Sequence, residues 1–364
     1  MTTGYVPPPY PYERLGELKA VGDQFEGGAV DLSIGTPCDP APPEVIAALA
    51  QPGLSEGYPP SIGTPALRAA AASWISRRLG ASVDPDTEVA ACVGTKEFVA
   101  SVPLYLKLRT PGRDTVLYPA ISYPTYEMGA ILAGVRAVPY QQLDQIADAD
   151  ADRALCVWVN SPNNPTGEIS DLAVAAGWGR DRGVPVISDE CYAEFSYSQG
   201  PTTILRSGTQ GQLAVHSLSK RDNFAGARIG FYAGDAELVH YLREVRKHAG
   251  LMPPGPVQNA AVVALNDDEH VEVQRRRYWN RMLRLQQVLA AVGLPVKMPD
   301  GGFYLWAEAP DGDAWAAARL LAERAGLVVS PREFYGPFST GYLRVAAVAP
   351  EDRIELAARR AGLA

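Results

Sequence analysis

Between residues 88 and 216, short apolar runs alternate with stretches of helical pattern, and this alternation leaves few folds open to the chain. The runs at 88–93, 115–118, 154–159, 185–188 and 213–216 have the length and apolar content of buried strands. Between or beside them, 97–108, 124–133 and 171–182 read as helices. Strands separated by helices imply a mostly parallel sheet covered by helices on both faces. Ligands of such sheets collect at the loops beyond the strand ends, which is where the chemistry is to be sought.

At 364 residues the chain is long for one core, and a second, smaller domain is expected. Thr64 followed by Pro65 marks a helix start, with the helix running through 67–79. Past Gly234 the pattern turns helical, and the polar stretch 266–277 opens a long helix. Strand candidates at 303–306, 327–330 and 342–346, set between helices, give the tail an α+β character. The expected division is 1–40 as an N-terminal arm and part of the small domain, 41–265 as the large domain, and 266–364 as the small domain. The first eleven residues are rich in proline and tyrosine, which favours an extended arm able to lie along another surface.

Composition narrows the partners. With 41 acidic against 33 basic residues and a formal charge of −8, the chain does not present the basic surface of a nucleic-acid binder. No apolar run is long enough to cross a bilayer, and the N-terminus lacks the basic-then-apolar order of a secretory signal. Cys38, Cys92, Cys156 and Cys191 form no Cys-x-x-Cys pair, so neither zinc nor a disulfide framework is expected and a reducing cytoplasm fits. The four histidines show no ligand spacing, and no metal site is expected. Small molecules are the expected partners.

Three segments carry the densest chemical signal: Ser161-Pro162-Asn163-Asn164-Pro165-Thr166-Gly167, Asp189-Glu190-Cys191-Tyr192, and Ser217-Leu218-Ser219-Lys220 followed by Asn223, Gly226 and Arg228. A fourth, Gly94-Thr95-Lys96-Glu97, follows a strand and opens a helix, so the amides of Thr95 and Lys96 would point at an anion. It lacks the spacing of a nucleotide loop. Each segment alone is a common turn or chance match; their ordered combination is specific.

Taken together, and in this order from about Asp31 to Arg344, the segments resemble those of class I and II aminotransferases of the aspartate-aminotransferase fold. The resemblance implies fold type I of the pyridoxal-phosphate enzymes: an α/β domain with a mostly parallel seven-stranded sheet, plus a smaller α+β domain from the C-terminal part and the N-terminal segment. It implies pyridoxal 5'-phosphate held by Lys220 as a Schiff base, the freed amine then carrying a proton. Asp189 would keep the cofactor ring nitrogen protonated, with Tyr192 and Asn164 on the ring oxygen. Thr95, Lys96, Ser217, Ser219 and Arg228 would hold the phosphate, the arginine through its fork of donors. Tyr123 matches the ring that stacks on the cofactor, with Tyr126 as its nearest competitor.

The resemblance also reaches the substrate and the assembly. Arg344 matches the arginine that takes the substrate α-carboxylate, and Gly35 and Asn164 line the same pocket. Tyr58 matches the tyrosine that reaches the phosphate of a neighbouring subunit, which implies a homodimer with its active site at the subunit interface. The Gly301-Gly302-Phe303-Tyr304-Leu305-Trp306 segment is a further family landmark, read here as a tight backbone approach. The expected activity is ping-pong transamination between amino acids and 2-oxo acids. Ser219-Lys220-Arg221-Asp222-Asn223-Phe224-Ala225-Gly226 and the compact length most resemble the succinyldiaminopimelate aminotransferases of lysine biosynthesis. Phe224 and Ala227 depart from that subgroup, where leucine and tyrosine are common. Aspartate, aromatic or LL-diaminopimelate donors, a carbon–sulfur lyase and a non-catalytic binding protein remain open as alternatives.

Overall fold

The computed structural model of the chain describes residues 11–336 and 341–364. The first ten residues of the expected N-terminal arm therefore lie outside the described residues. Two compact units emerge: the described residues of Met1–Gly35 with Tyr278–Met298 and Phe303–Ala364, and Thr36–Arg277 with Pro299–Gly302.

The larger unit holds one seven-stranded sheet. In chain order its strands are β1 (Val89–Cys92), β2 (Thr115–Pro119), β3 (Arg136–Tyr140), β4 (Ala154–Asn160), β5 (Val186–Asp189), β6 (Gln212–Ser217) and β7 (Gly230–Gly234). Across the sheet they run β1-β7-β6-β5-β4-β2-β3. The five from β6 to β3 are parallel to their neighbours, whereas β7 is antiparallel to both β6 and β1. Every residue of β1, β4, β5, β6 and β7 is buried, as expected of strands covered on both faces.

Two of these strands lie outside the runs read from sequence. In β3, Pro139 breaks the β pattern, yet a proline is tolerated because β3 is the sheet edge. In β7, glycine stands at both ends because the backbone of β6 comes too close for a side chain. A Cβ on Gly230 would lie 2.7 Å from the His216 carbonyl, and one on Gly234 2.1 Å from the Gln212 carbonyl.

Helices Thr95–Arg109, Thr125–Leu132 and Leu172–Arg182 fall within one or two residues of their expected bounds. Thr64 caps the helix Pro65–Trp74, its hydroxyl accepting from the Leu67 amide at 3.2 Å. The long helix runs Glu269–Ala291, and the division between units falls inside it, twelve residues beyond the expected boundary at 265. Its first turns are fastened to the larger unit: His270 Nε2 lies 2.8 Å from Asp222, Gln274 donates to Asp39 at 2.7 Å, and Arg275 donates to the Ser196 carbonyl at 2.7 Å.

In the smaller unit, Tyr342–Ala346 pairs antiparallel with Tyr304–Glu308 on one side and Ser330–Pro331 on the other. The stretch expected as one strand over 327–330 is split between two sheets, because Leu327–Val328 pairs in parallel with Val30–Asp31 instead. The N-terminal segment thereby joins this unit. Among the described residues no helix is long and apolar enough to cross a membrane.

Candidate active site

Most of the residues singled out from sequence lie at or just beyond the strand ends of the larger unit. Asp189 is the last residue of β5, and Ser217 the last of β6. Ser217 caps the short helix Leu218–Arg221, its hydroxyl accepting from the Ser219 amide at 3.1 Å, and that turn carries Lys220. Ser217 and Ser219 are buried, while Lys220 is half-buried.

The Asp189 carboxylate is buried and has a donor on each oxygen. The Tyr126 hydroxyl donates to Oδ2 at 2.8 Å and the Cys191 amide to Oδ1 at 3.2 Å. Burial pushes this carboxyl above its usual range; the donors and the Lys220 charge pull it back down. Asp189 closes β5 and the turn carrying Lys220 follows β6, its neighbour in the sheet.

Asn164 is placed by a neighbour that sequence reading missed. Asn160, at the end of β4, accepts from the Asn164 amide at 2.7 Å. Its own amide donates to the Asp189 carbonyl at 2.8 Å and to the Pro162 carbonyl at 3.2 Å. One side chain therefore ties the Pro162–Asn164 turn to the end of β5. The same turn is clamped by Gly301, whose Cβ would lie 2.5 Å from the Pro162 ring and whose amide donates to the Gly167 carbonyl at 2.9 Å. Tyr192 is buried three residues after Asp189.

The anion cradle rests on Gly94. This residue precedes the helix Thr95–Arg109 with φ 75° and ψ 150°, a conformation open to glycine alone. A Cβ there would lie 2.4 Å from Nη2 and 2.9 Å from Cζ of Arg228. The missing side chain lets a guanidinium lie against the helix start, where the amide dipoles already favour negative charge. Arg228 is itself at φ 55° and donates to the Ala225 carbonyl at 2.8 Å, which fixes its reach. Thr95 turns its hydroxyl to Cys191 Sγ at 3.4 Å, joining the cradle to the Asp189 loop, and Lys96 lies exposed in the first turn. Tyr123 is half-buried and meets Tyr126 edge-on at 6.0 Å, whereas Tyr126 is fully buried and stacks on Trp158 at 5.0 Å.

These groups suit pyridoxal phosphate. The cradle offers a phosphate a fixed guanidinium, a helix start and hydroxyls, and the buried carboxylate offers a protonated ring nitrogen its counter-charge. Tyr58, by contrast, is 95% exposed.

Gly35 and Arg344 belong to the smaller unit. The buried Arg344 guanidinium lies between the rings of Tyr304 and Tyr335, at 4.3 Å and 4.8 Å from their centroids, and donates to the Ser33 carbonyl at 2.6 Å. Gly35 is glycine because Tyr304 packs on it: a Cβ would lie 2.1 Å from the phenol oxygen.

The residues missed from sequence are Asn160, as organiser, and Tyr126, as a partner of Asp189. An asparagine closing an apolar run was the available signal for the first. Nothing in spacing marks a contact across 63 residues for the second.

Comparison with known proteins gives the family. The family model described as aminotransferase class I and II matches residues 28–360. The chain is 42% identical over 361 residues to the 4-dedimethylamino-4-oxo-anhydrotetracycline transaminase of Streptomyces rimosus, covering 97% of this chain and 98% of that one. It is 35% identical to the LL-diaminopimelate aminotransferase of Aquifex aeolicus, covering 97% and 96%. Among solved structures, an aminotransferase from Neisseria meningitidis superposes with a TM-score of 0.87 at 32% identity, covering 97% and 96%. A probable N-succinyldiaminopimelate aminotransferase from Thermus thermophilus gives 0.84 at 30%, covering 96% and 99%. This chain belongs to the class I and II aminotransferases, enzymes that move amino groups with pyridoxal 5'-phosphate.

Proposed function

We propose that the protein exchanges an amino group between N-succinyl-LL-2,6-diaminopimelate and the 2-oxoglutarate–glutamate pair, in two half-reactions at one site. The observation that carries the catalytic part is the buried Asp189, hydrogen-bonded on both oxygens, at the end of β5, with Lys220 in the turn beyond the neighbouring strand β6 and a cradle built on Gly94 and Arg228. Bound pyridoxal phosphate supplies an electron sink for the charge left at Cα.

The chain's own residues do the rest. Lys220 holds the cofactor and, once freed by the incoming amine, moves the proton from Cα. Asp189, as an anion, keeps the ring-nitrogen proton in place. Asn164 and Tyr192 serve the ring oxygen, Tyr123 packs on the ring face, and Thr95, Lys96, Ser217, Ser219 and Arg228 bind the phosphate. Arg344 is assigned to the substrate α-carboxylate, which a guanidinium takes by two parallel hydrogen bonds, with Gly35 in the same pocket. The 95% exposed side chain of Tyr58 fits a role towards a partner subunit, so the working unit is a homodimer. We place it in the cytoplasm, in the diaminopimelate branch of lysine biosynthesis.

The substrate rests on likeness to the probable N-succinyldiaminopimelate and LL-diaminopimelate aminotransferases. A second reading, amination of a polycyclic oxo compound, is favoured by the 42% identity to the tetracycline-pathway transaminase. One panel separates them: N-succinyl-LL-2,6-diaminopimelate and LL-diaminopimelate with 2-oxoglutarate, and glutamate with 4-dedimethylamino-4-oxo-anhydrotetracycline. The succinylated donor is expected to give the highest kcat/KM. Turnover of the polycyclic acceptor alone would select the second reading, and activity confined to aspartate or aromatic donors would overturn both.

A further inference from the structure

We infer that Tyr126 is a positioning residue for the reaction, acting through Asp189: its hydroxyl holds one oxygen of that carboxylate so that the other faces the cofactor ring nitrogen as an anion. This rests on the assignment of Asp189 made under the proposed function. Tyr126 lies on the helix Thr125–Leu132, fully buried, 63 residues from Asp189 in sequence, and its hydroxyl donates to Oδ2 at 2.8 Å. The ring is locked by stacking on Trp158 of β4, at 5.0 Å and an interplanar angle of 24°. A rigid ring with one polar atom aimed at one carboxylate oxygen fixes direction as well as distance.

Three features make the contact more than packing. First, the donor sense is settled, because burial and the Asp189 charge push the phenol well above its ordinary range and it stays protonated. Second, Asp189 is buried where an isolated carboxylate would take up a proton; a protonated Asp189 cannot act as counter-charge to a protonated ring nitrogen. Hydrogen bonds to the charged form oppose this: Cys191 donates through its thiol and its amide, and Tyr126 donates through a hydroxyl on a rigidly held ring. Third, the Cys191 amide sits on Oδ1 and the Cys191 thiol adds a further hydrogen bond, so that with Tyr126 on Oδ2 both oxygens of the carboxylate are held.

The test is Tyr126→Phe, which removes the hydroxyl and keeps the stacking ring, alongside Tyr126→His, which keeps a ring and an N–H donor. Borohydride reduction of the unmodified holoenzyme first establishes whether Lys220 carries the cofactor; failure there sinks the site assignment itself, separately from Tyr126. For Tyr126→Phe, kcat is expected to fall about 10- to 100-fold, the range for losing a hydrogen bond to a charged group, with KM for the amino donor little changed. The pH midpoint of the lysine-linked cofactor's absorption is expected to rise, because a less firmly protonated ring withdraws less charge. Tyr126→His is expected to lie closer to native on both readouts. A lowered melting temperature with native midpoint and kcat, or equal damage in both variants, would reduce Tyr126 to a packing residue. Should the phenylalanine variant not fold, nitrogen-15 spectra of labelled cofactor in the unmodified protein decide. A ring nitrogen that titrates between about pH 6 and 9 would overturn the inference, and one that stays protonated throughout would support it.

Discussion

Replacing Gly94 by alanine tests the anion cradle at one atom. The added methyl would lie 2.4 Å from Arg228 Nη2 and 2.9 Å from Cζ, well inside van der Waals contact, so the guanidinium has to swing away. Two costs follow, and they fall on different quantities. Holding a residue with a side chain at φ 75°, ψ 150° costs about 1–3 kcal/mol of folding free energy. Displacing the guanidinium removes a charge-assisted contact to the phosphate worth about 1.5–3 kcal/mol, which corresponds to about 10- to 150-fold in cofactor affinity. Titrating apo-protein with pyridoxal phosphate and following the absorption reads the second cost, and chemical denaturation of the apo-protein reads the first. Gly112→Ala is the control: it meets nothing within 4 Å and has an ordinary backbone, so it should leave both unchanged. A Gly94→Ala protein that binds the cofactor with native affinity would refute the cradle, whatever its stability.

Two further perturbations probe the structure around the site. Arg246 is almost completely buried and forms a two-pronged pair with Glu97, at 2.8 Å and 2.7 Å, behind the cradle helix; Glu97→Ala strands that charge and should cost about 3–5 kcal/mol in denaturant unfolding, while a loss below about 1 kcal/mol would contradict the pairing. Glu190 and His216 face each other across the ends of β5 and β6, Nε2 to Oε2 3.4 Å, without the charges of an ion pair. Burial pushes Glu190 from 4.5 up to about 7 and His216 from 6.5 down to about 3. The folded state therefore holds the Glu190 proton more tightly than the unfolded one, and this contribution to stability, full below about pH 4.5, is lost as pH rises through 7. His216 acts in the opposite sense, costing stability as pH falls from 6.5 towards 3. Glu190→Gln should abolish a decline of about 3 kcal/mol between pH 5 and 8 in unfolding free energy, and an unchanged decline would assign it to other groups.

How much of this was legible beforehand follows from burial and distance in sequence. Strands β4, β5 and β6 are buried along their whole length, so their composition alone marks them. The edge strand β3 tolerates Pro139, and β7 is bounded by glycines forced by close backbone approach; both depart from the pattern for reasons that exist only once the sheet is assembled. The tail stretch at 327–330 reads as one strand, but Leu327–Val328 and Ser330–Pro331 serve different sheets, a choice made by partners far away in the chain. At the site, Asp189, Ser217 and Lys220 were singled out by ordered motifs resembling those of the aminotransferases, and the structure places Asp189 and Ser217 last in β5 and β6 with Lys220 in the turn beyond, where function in such folds is concentrated. The hydroxyl of Tyr126 and the amide of Asn160 were not, because each acts across the sheet on a residue that local periodicity cannot pair with it.

The proposed chemistry depends on Lys220 as the point of cofactor attachment. Purified holoenzyme reduced with borohydride, digested and weighed by mass spectrometry should show one peptide, spanning Lys220, heavier by a reduced pyridoxal-phosphate group, and Lys220→Ala should lose both that mass and the yellow colour of the native protein. An adduct on any other lysine, or a native protein that takes up no cofactor at all, would contradict it.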